Sequence, residues 1–147
     1  MEVAHPDLLP TGYRYEVRKT VTASDVYFWA GLTGEPYPVQ GVSGFAQQAA
    51  LEGYVVHSAY LTSLIAATAV HLADHIPLPG AILVNLMMQF TAPVSVGTTL
   101  SIVVTVTEWD AAASLYWLDI RVTCADGILA VLGQAGLRPR TTLLAAA

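Results

Sequence analysis

Residues 59–72 read AYLTSLIAATAVHL, and this stretch decides the fold because apolar residues cover nearly every side of the helix that it predicts. Ser58, directly before the stretch, is a suitable N-cap, and residues 74–80, with two prolines and a glycine, end the helix. A helix that is apolar all round has to be buried. The rest of the chain must therefore cover this helix on several sides.

Segments with strand character surround this helix in the sequence. They alternate apolar with polar residues or are rich in β-branched side chains, and they cover residues 13–21, 81–90, 98–108, 115–124 and 128–138. Asp126-Gly127 between the last two segments predicts a hairpin. This order of elements is typical of an α+β domain. A strongly curved antiparallel sheet wrapped around one long helix, the hotdog arrangement, satisfies the order and supplies the cover.

A shorter helix is predicted between the first strand and the long helix. Residues 22–25, Thr-Ala-Ser-Asp, offer its N-cap, and Gly31 and Gly34 end it. Its inner side is predicted to carry Val26, Phe28, Trp29 and Leu32.

Length and composition indicate one domain that associates with copies of itself. The 147 residues suit a single domain, with residues 1–12 as an irregular lead-in and residues 140–147 as a loose tail. Only 12% of the residues are charged and 54% are hydrophobic, which favours a surface covered by a second chain in a homodimer or a higher homo-oligomer.

Charge and hydropathy exclude two classes of partner. The net charge of −5 argues against nucleic acid and against an anionic membrane surface. No apolar run reaches the roughly 18 residues that a membrane-spanning helix needs. Residues 1–7 are not basic and no apolar block follows them, which does not suit a signal peptide. We therefore expect a cytoplasmic protein.

No metal, disulfide or cofactor is predicted. Cys124 is the single cysteine and is interpreted as a buried small hydrophobe. The i,i+4 spacing of His71 and His75 suits a metal, but no third ligand is evident, and a partly exposed helix end explains both histidines better.

Residues 33–40 read TGEPYPVQ and place an acid, a phenol and an amide within six positions. Glu35 precedes one proline and Tyr37 precedes another, so both are biased toward extended backbone. A carboxylate held on such a stiff turn is positioned for chemistry. This segment is the candidate active-site loop.

Short landmarks along most of the chain occur together, in order and at suitable spacing. They are residues 22–25, 32–35, 55–58, 79–80, 90–97 and 133–135. With them the chain resembles the MaoC-like branch of the hotdog proteins, which includes (R)-specific enoyl-CoA hydratases and β-hydroxyacyl dehydratases.

The resemblance implies roles for the residues of the candidate loop. The catalytic signature of the family reads Thr-Gly-Asp-x-Asn-Pro-x-His, and its Asp and His activate a water that adds across the 2,3-double bond of an acyl thioester. In this chain Glu35 stands at the Asp, Tyr37 at the Asn and Gln40 at the His. Glu35 is then the acid/base, and Gln40 orients water or substrate because an amide does not titrate. Tyr37 is a packing residue or a proton donor.

The resemblance also implies a site for the thioester carbonyl. Backbone N–H groups at the start of the long helix hold this carbonyl in the family, where the helix dipole favours developing negative charge. His57, Ser58 and Ala59 occupy that position here. His57 is expected to tie the preceding loop to the helix. Tyr60 lines the acyl cavity or belongs to the core.

Three functions stay open at this point. The first is hydration or dehydration at the β-carbon of an acyl thioester carried by CoA or by an acyl carrier protein. The second is a cyclase or isomerase for a polyketide-like substrate on the same fold, because three positions of the signature differ. The third is a non-catalytic acyl-binding subunit that pairs with an active homologue.

Overall fold

Five antiparallel strands form one sheet within the ranges that the computed structural model describes, residues 9–34, 55–76 and 80–140. The strands are β1 Arg14–Thr20, β2 Ala81–Phe90, β3 Thr99–Asp110, β4 Leu115–Cys124 and β5 Leu129–Pro139. They lie in the order β1-β3-β4-β5-β2. Helix α1 covers Ala23–Thr33, helix α2 covers Ser58–Leu72, and a 3-10 helix covers Ala73–His75. The predicted α+β hotdog fold is confirmed.

The inner face of the sheet carries most of the hydrophobic core. Every second residue of β3 is buried, and these residues are Leu100, Ile102, Val104 and Val106. Across the sheet Val104 is paired with Ile120 of β4, which is also buried. Alternation of period two matches the pleat of a strand, so the sequence pattern also sets the register. Each fully buried aliphatic side chain contributes about 1.5–3 kcal/mol.

Helix α2 packs one side against the sheet, where it contacts β1, β2, β3 and β5. Ile65, Ala69 and Leu72 on this side are almost completely buried. Ser63 and His71 on the opposite side are exposed. The prediction of a helix is confirmed, but burial on all sides is wrong for the single chain. The sheet can contact only one side of the helix.

Helix α1 begins with a capping box that ties it to β1. The Thr22 hydroxyl accepts a hydrogen bond from the Asp25 N–H at 3.2 Å, and the Asp25 carboxylate accepts one from the Thr22 N–H at 2.8 Å. Lys19 of β1 donates to the same carboxylate oxygen at 2.9 Å. Burial alone would raise the pKa of Asp25, but the hydrogen bonds from Lys19 and Thr22 outweigh it and lower this pKa from 3.8 to about 2.

The predicted inner side of α1 is only partly correct. Val26 is buried and Trp29 packs against the core, whereas Phe28 is 74% exposed and Leu32 is 66% exposed. Only a narrow side of this helix contacts the hydrophobic core. Its apolar residues are spread over a wider arc than the core can contact.

Helix α1 ends at a left-handed glycine. Gly34 has φ +68° and donates its N–H to the Ala30 carbonyl at 3.0 Å, which closes the last turn. The helix continues through Gly31, so only the second of the two glycines ends it. The first two residues of the candidate loop, Thr33 and Gly34, therefore form the end of this helix, and Glu35 follows them.

The predicted hairpin joins β4 and β5. Gly127 has φ +87° and donates its N–H to the Cys124 carbonyl at 2.8 Å. The Cys124 N–H in turn donates to the Ile128 carbonyl at 2.8 Å. The Asp-Gly pair thus forms the turn that the sequence predicts.

A glycine landmark in β5 is explained by close packing. A Cβ atom at Gly133 would collide with the backbone carbonyl oxygen of Met87 on the neighbouring strand β2. Only glycine allows β2 to approach β5 this closely.

Some predictions fall partly or wholly outside the described residues, because residues 1–8, 35–54, 77–79 and 141–147 are not described. The division into a lead-in, one domain and a tail therefore stays a prediction. Within the described ranges, no helix is both long enough and apolar enough to cross a membrane.

The low pKa of Asp25 predicts a pH-dependent contribution to stability. Because the pKa in the folded protein is below 3.8, the carboxylate stabilises the fold above about pH 4, and this contribution is lost as the pH falls toward about 2. Urea unfolding at pH 7 should show the native protein more stable than Asp25→Asn, and the difference should shrink at pH 3.

The control for this experiment is Asp126→Asn, which removes a carboxylate from the exposed β4–β5 turn. A difference between native protein and Asp25→Asn that is the same at both pH values would contradict the prediction.

Candidate functional site

The start of α2 is capped by a histidine. His57 has an extended backbone, and its Nδ1 accepts a hydrogen bond from the Ala59 N–H at 2.9 Å. The expectation that Ser58 is the N-cap is wrong, because Ser58 is already the first helical residue. Since Nδ1 of His57 accepts this bond, it carries no proton, and the neutral ring carries its proton on Nε2.

The first amides of α2 are not equally accessible. The N–H of Ala59 is bonded to the His57 ring, and the N–H groups of Tyr60 and Leu61 donate to the His57 carbonyl at 3.0 and 3.3 Å. Among the described residues, the N–H of Ser58 has no acceptor. Within these residues the N–H of Ser58 can therefore donate directly to a ligand, whereas the N–H of Ala59 is available only when the His57 ring releases it.

A short loop after β2 holds the start of α2 in place. The Val56 N–H donates to the Val94 carbonyl at 2.7 Å, and Val55 forms an isolated antiparallel bridge with Ser95. The loop is fixed in turn by Gly97, whose N–H donates to the Val21 carbonyl at 2.7 Å. The landmark at residues 90–97 is thus the support on which the helix begins.

A cavity of about 350 Å³ lies between this loop and the helix start. Its lining residues are Val56, Ser58, Leu61, Phe90, Thr91, Ala92, Pro93 and Val94. The lining is mostly apolar, and Ser58 among the lining residues is the first residue of α2. Such a cavity suits a ligand whose apolar part fills it while a polar group of the ligand binds at the helix end.

The electrostatics of this end favour negative charge. The first turn of α2 contains no acidic residue, and no ionisable side chain is among the described residues that line the cavity. None of these described side chains therefore neutralises the partial positive charge at the N-terminus of the helix. A carbonyl oxygen that becomes negative during a reaction would be stabilised here.

Tyr60 lies away from this cavity, at the junction of α2 with α1. It is 8% exposed, and its ring contacts Trp29 of α1 edge to face at a centroid distance of 6.2 Å. Burial and, next, the negative charge of Asp25 raise the pKa of Tyr60 to about 12. The phenol therefore keeps its proton at neutral pH.

The predicted site residues divide into two groups. His57, Ser58, Ala59 and Tyr60 are described, and only Ser58 lines the cavity. Glu35, Tyr37 and Gln40 lie outside the described residues, so their roles stay predictions. Leu61 and Phe90 also line the cavity, and no sequence pattern predicted this, although Phe90 opens one of the landmarks.

The two histidines at the end of α2 have other partners. His71 Nδ1 lies 3.1 Å from the Asp74 carboxylate, and the His75 ring contacts the tilted rings of Tyr13 and Tyr15 at centroid distances of 5.9 and 5.2 Å. In the part of the chain that the structure describes, no three metal-ligating side chains come together.

A larger open groove of about 880 Å³ crosses the outer face of the sheet, and no residue of α2 lines it. Three of its polar side chains already have partners, and these are Arg14, Asp119 and Gln134. Arg14 binds Glu16 at 3.2 Å, and Gln134 donates to Asp119 at 3.4 Å. We therefore place the candidate site at the helix start and not in this groove.

Comparison with known proteins identifies the family of this chain. The family model described as MaoC like domain matches residues 8–115, which include both helices and strands β1 to β3. An (R)-specific enoyl-CoA hydratase of Rhodospirillum rubrum is 31% identical over 84% of this chain and 83% of that protein. A 3-hydroxybutyryl-CoA dehydratase of Methylorubrum extorquens is 29% identical over 74% of this chain and 67% of that protein.

A solved structure is similar along nearly the same length. The (R)-hydratase from Aeromonas caviae involved in PHA biosynthesis superposes with a TM-score of 0.78 at 28% identity, and the match covers 89% of this chain and 97% of that one.

The histidine cap predicts a specific pattern of stability. His57→Ala should lower the free energy of unfolding by about 1 kcal/mol because the Ala59 N–H loses its acceptor. His57→Asn should recover most of this loss, since asparagine is a good N-cap. Ser58→Ala should cost less than His57→Ala, because Ser58 does not cap the helix. Urea unfolding checks all three variants, and a larger loss for Ser58→Ala would refute the assignment.

Proposed function

Because the chain belongs to the MaoC-like dehydratase family, we propose that it adds water across the 2,3-double bond of an acyl thioester, or removes water in reverse. One structural observation carries this proposal. The start of α2 offers the open N–H of Ser58 beside a mostly apolar cavity with no ionisable side chain among its described lining residues.

In the proposed complex the thioester carbonyl accepts a hydrogen bond from the Ser58 N–H. When water adds to the β-carbon, the carbonyl oxygen becomes negative as the enolate forms, and the N-terminus of α2 stabilises this charge. The Ala59 N–H can add a second hydrogen bond if the His57 ring releases it. His57 is then a positioning residue that controls how many donors the carbonyl meets.

Glu35 is proposed as the single acid/base. Its carboxylate takes a proton from water while the water oxygen bonds to the β-carbon, and the protonated acid then returns a proton to the α-carbon. Gln40 orients the attacking water, because its amide both donates and accepts hydrogen bonds but does not exchange protons at neutral pH. Tyr37 is proposed to contact the substrate.

The proposed substrate is a CoA thioester, because the relatives from R. rubrum and M. extorquens are named for reactions of CoA thioesters. A thioester on an acyl carrier protein presents the same reacting atoms and is the alternative. The chemistry of Glu35 and the helix end requires no cofactor. A cytoplasmic location belongs to the same proposal.

Hydration of crotonyl-CoA tests the proposed roles. With the native protein, the absorbance of the enoyl thioester should fall as its double bond is hydrated. Glu35→Gln should lower kcat/KM roughly 100- to 10,000-fold because the acid/base is lost. Gln40→Ala should lower kcat/KM less than Glu35→Gln does, since water can still reach the β-carbon without the amide to orient it. Circular dichroism of each variant controls for folding.

Two results would contradict this function. One is a native protein that turns over neither crotonyl-CoA nor (R)-3-hydroxybutyryl-CoA. The other is full activity of Glu35→Gln. If Gln40→His were active while the native protein was not, a non-catalytic acyl-binding subunit would be the better explanation.

A homodimer is part of the proposal, and strand β2 is its proposed interface. Among the described strands β2 has only β5 as a neighbour, so its other edge is unpaired. Large apolar side chains are exposed along it, and these are Ile82, Val84, Met87 and Phe90. An unpaired apolar edge favours pairing with another strand, and a two-fold axis would pair it with the same strand of a second copy.

Sedimentation velocity checks this interface. The native protein should sediment as a dimer or a larger assembly. Met87→Lys should weaken this self-association because it places a lysine at the unpaired edge. Ile128→Lys is the matched control, because Ile128 is 52% exposed and Met87 is 57% exposed, but Ile128 lies beside the β4–β5 turn. A monomeric native protein, or dissociation by Ile128→Lys alone, would exclude the β2 interface.

A further inference from the structure

Two rows of outward-facing residues cross the sheet at the groove of about 880 Å³, and the strand register fixes both rows. From β1 to β2, the first row consists of Arg14, Thr105, Asp119, Gln134 and Met87. The second row is displaced by two residues along every strand and consists of Glu16, Val103, Arg121, Leu132 and Gln89. All of these residues except Glu16 line the groove.

Each row carries one acid and one base, but in opposite order. From β1 to β4, the first row has Arg14 and then Asp119, whereas the second row has Glu16 and then Arg121. Arg14 binds Glu16 at 3.2 Å, and Asp119 accepts a hydrogen bond from Gln134 at 3.4 Å. No described residue forms a hydrogen bond or an ion pair with the exposed guanidinium of Arg121. The charge of Arg121 is therefore available to a partner.

The opposite order makes this face complementary to itself. Consider a second copy that lays its outer face on this one about a two-fold axis that lies between the two rows and at right angles to the strands. Each strand then faces the same strand of the other copy in reverse direction, and the first row faces the partner's second row. Asp119 faces the partner's Arg121, and Arg14 faces the partner's Glu16. Symmetry gives each of these contacts twice.

A two-fold axis that runs along β3 would also bring unlike charges together, because it lays β1 on β4 of the partner. That arrangement stacks only β1, β3 and β4 and leaves β5 and β2 without cover. The axis at right angles to the strands covers all five strands of the sheet. It is therefore the better arrangement for a face that carries apolar residues on β5 and β2.

Apolar side chains lie among the charges on the same face. In the second row Val103 and Leu132 are half-buried and flank Arg121, and in the first row Met87 is 57% exposed. Two sheets that pack face to face lie about 10 Å apart and bury such side chains between them. Burial of the apolar residues would stabilise the contact, while the charged pairs would fix its orientation.

We propose that the outer face of the sheet binds the outer face of a second copy of this chain, with Asp119 of each copy paired to Arg121 of the other. This contact goes beyond the proposed hydratase reaction and is separate from the proposed β2 edge. Pairing at the edge extends the sheet sideways, whereas this contact stacks a second sheet on it, so both can form together. If the two axes cross at right angles, the assembly is a closed tetramer.

Sedimentation velocity of charge variants tests the contact. Asp119→Arg places an arginine opposite the partner's Arg121, and symmetry repeats the repulsion. The dissociation constant of the contact should rise about tenfold or more, so that the assembly falls to half its native number of chains. The double variant Asp119→Arg with Arg121→Asp restores unlike pairs about the proposed axis and should recover the native size.

Asp74→Arg is the matched control for this experiment. It makes the same change of charge at an exposed carboxylate next to the end of α2, which packs on the opposite face of the sheet. This variant should keep the native size. Circular dichroism shows that each variant is folded.

Four results would overturn the face contact. They are a monomeric native protein, a native size that Asp119→Arg leaves unchanged, a double variant no larger than Asp119→Arg, and an equal loss of size in Asp74→Arg. An unchanged size is also the result if the groove binds a different molecule, and failure of the double variant excludes the proposed axis.

The outcome is independent of the other proposals, because the measurement reports assembly and not turnover. If the β2 edge does not pair, the native protein should be a dimer that Asp119→Arg converts to a monomer. The face contact then stands while the edge contact fails. Met87 lies on both surfaces, so Asp119 is the sharper position to change.

Discussion

The contact between one side of α2 and the inner face of the sheet is the constraint on which the other features depend. Ile65, Ala69 and Leu72 can be buried only if the sheet curves over the helix, and the alternating residues of β3 and β4 supply the matching surface. Once this contact forms, the N-terminus of α2 lies at the loop after β2. The hydrogen bond from Val56 to Val94 fixes it there, next to an apolar cavity.

The proposed chemistry depends on a backbone N–H group at the start of α2 that lacks an acceptor within the described residues. The His57 ring and carbonyl bind the N–H groups of the first turn except that of Ser58. An unmatched N–H at a helix N-terminus costs little while water can reach it, and it becomes a strong binding group when a carbonyl replaces the water. The proposed acid/base, Glu35, adds what the helix end cannot supply, which is a group that exchanges protons.

Elements whose pattern reports directly on burial could be predicted from the sequence. The alternation in β3, the Asp-Gly turn and the capping residues before α1 each depend on local chemistry, and the structure confirms all three. The exposure of Phe28 and Leu32 could not be predicted, because periodicity does not show how wide a contact the neighbouring core offers. The N-cap of α2 could not be predicted either. Serine is the better N-cap by preference, but the backbone turns helical one residue earlier and leaves His57 at the cap.

The candidate site likewise has one part that the structure describes and another that only the sequence indicates. The structure describes the start of α2, where we propose that the carbonyl binds, whereas the acid and the amide of the TGEPYPVQ segment are inferred from the sequence alone. The partner of a buried hydroxyl could not be predicted from a local pattern, because it is decided by residues distant in the chain, as Tyr116 and Leu9 show.

Isotope-edited infrared spectroscopy of bound butyryl-CoA with a carbonyl-¹³C label tests the central claim most directly, because the unreactive thioester reports only on the group that holds its carbonyl. If the N-terminus of α2 binds the carbonyl at Ser58, the stretch should move to lower wavenumber on binding than in solution. A bound thioester whose carbonyl stretch is the same as in water, or higher, would contradict the account.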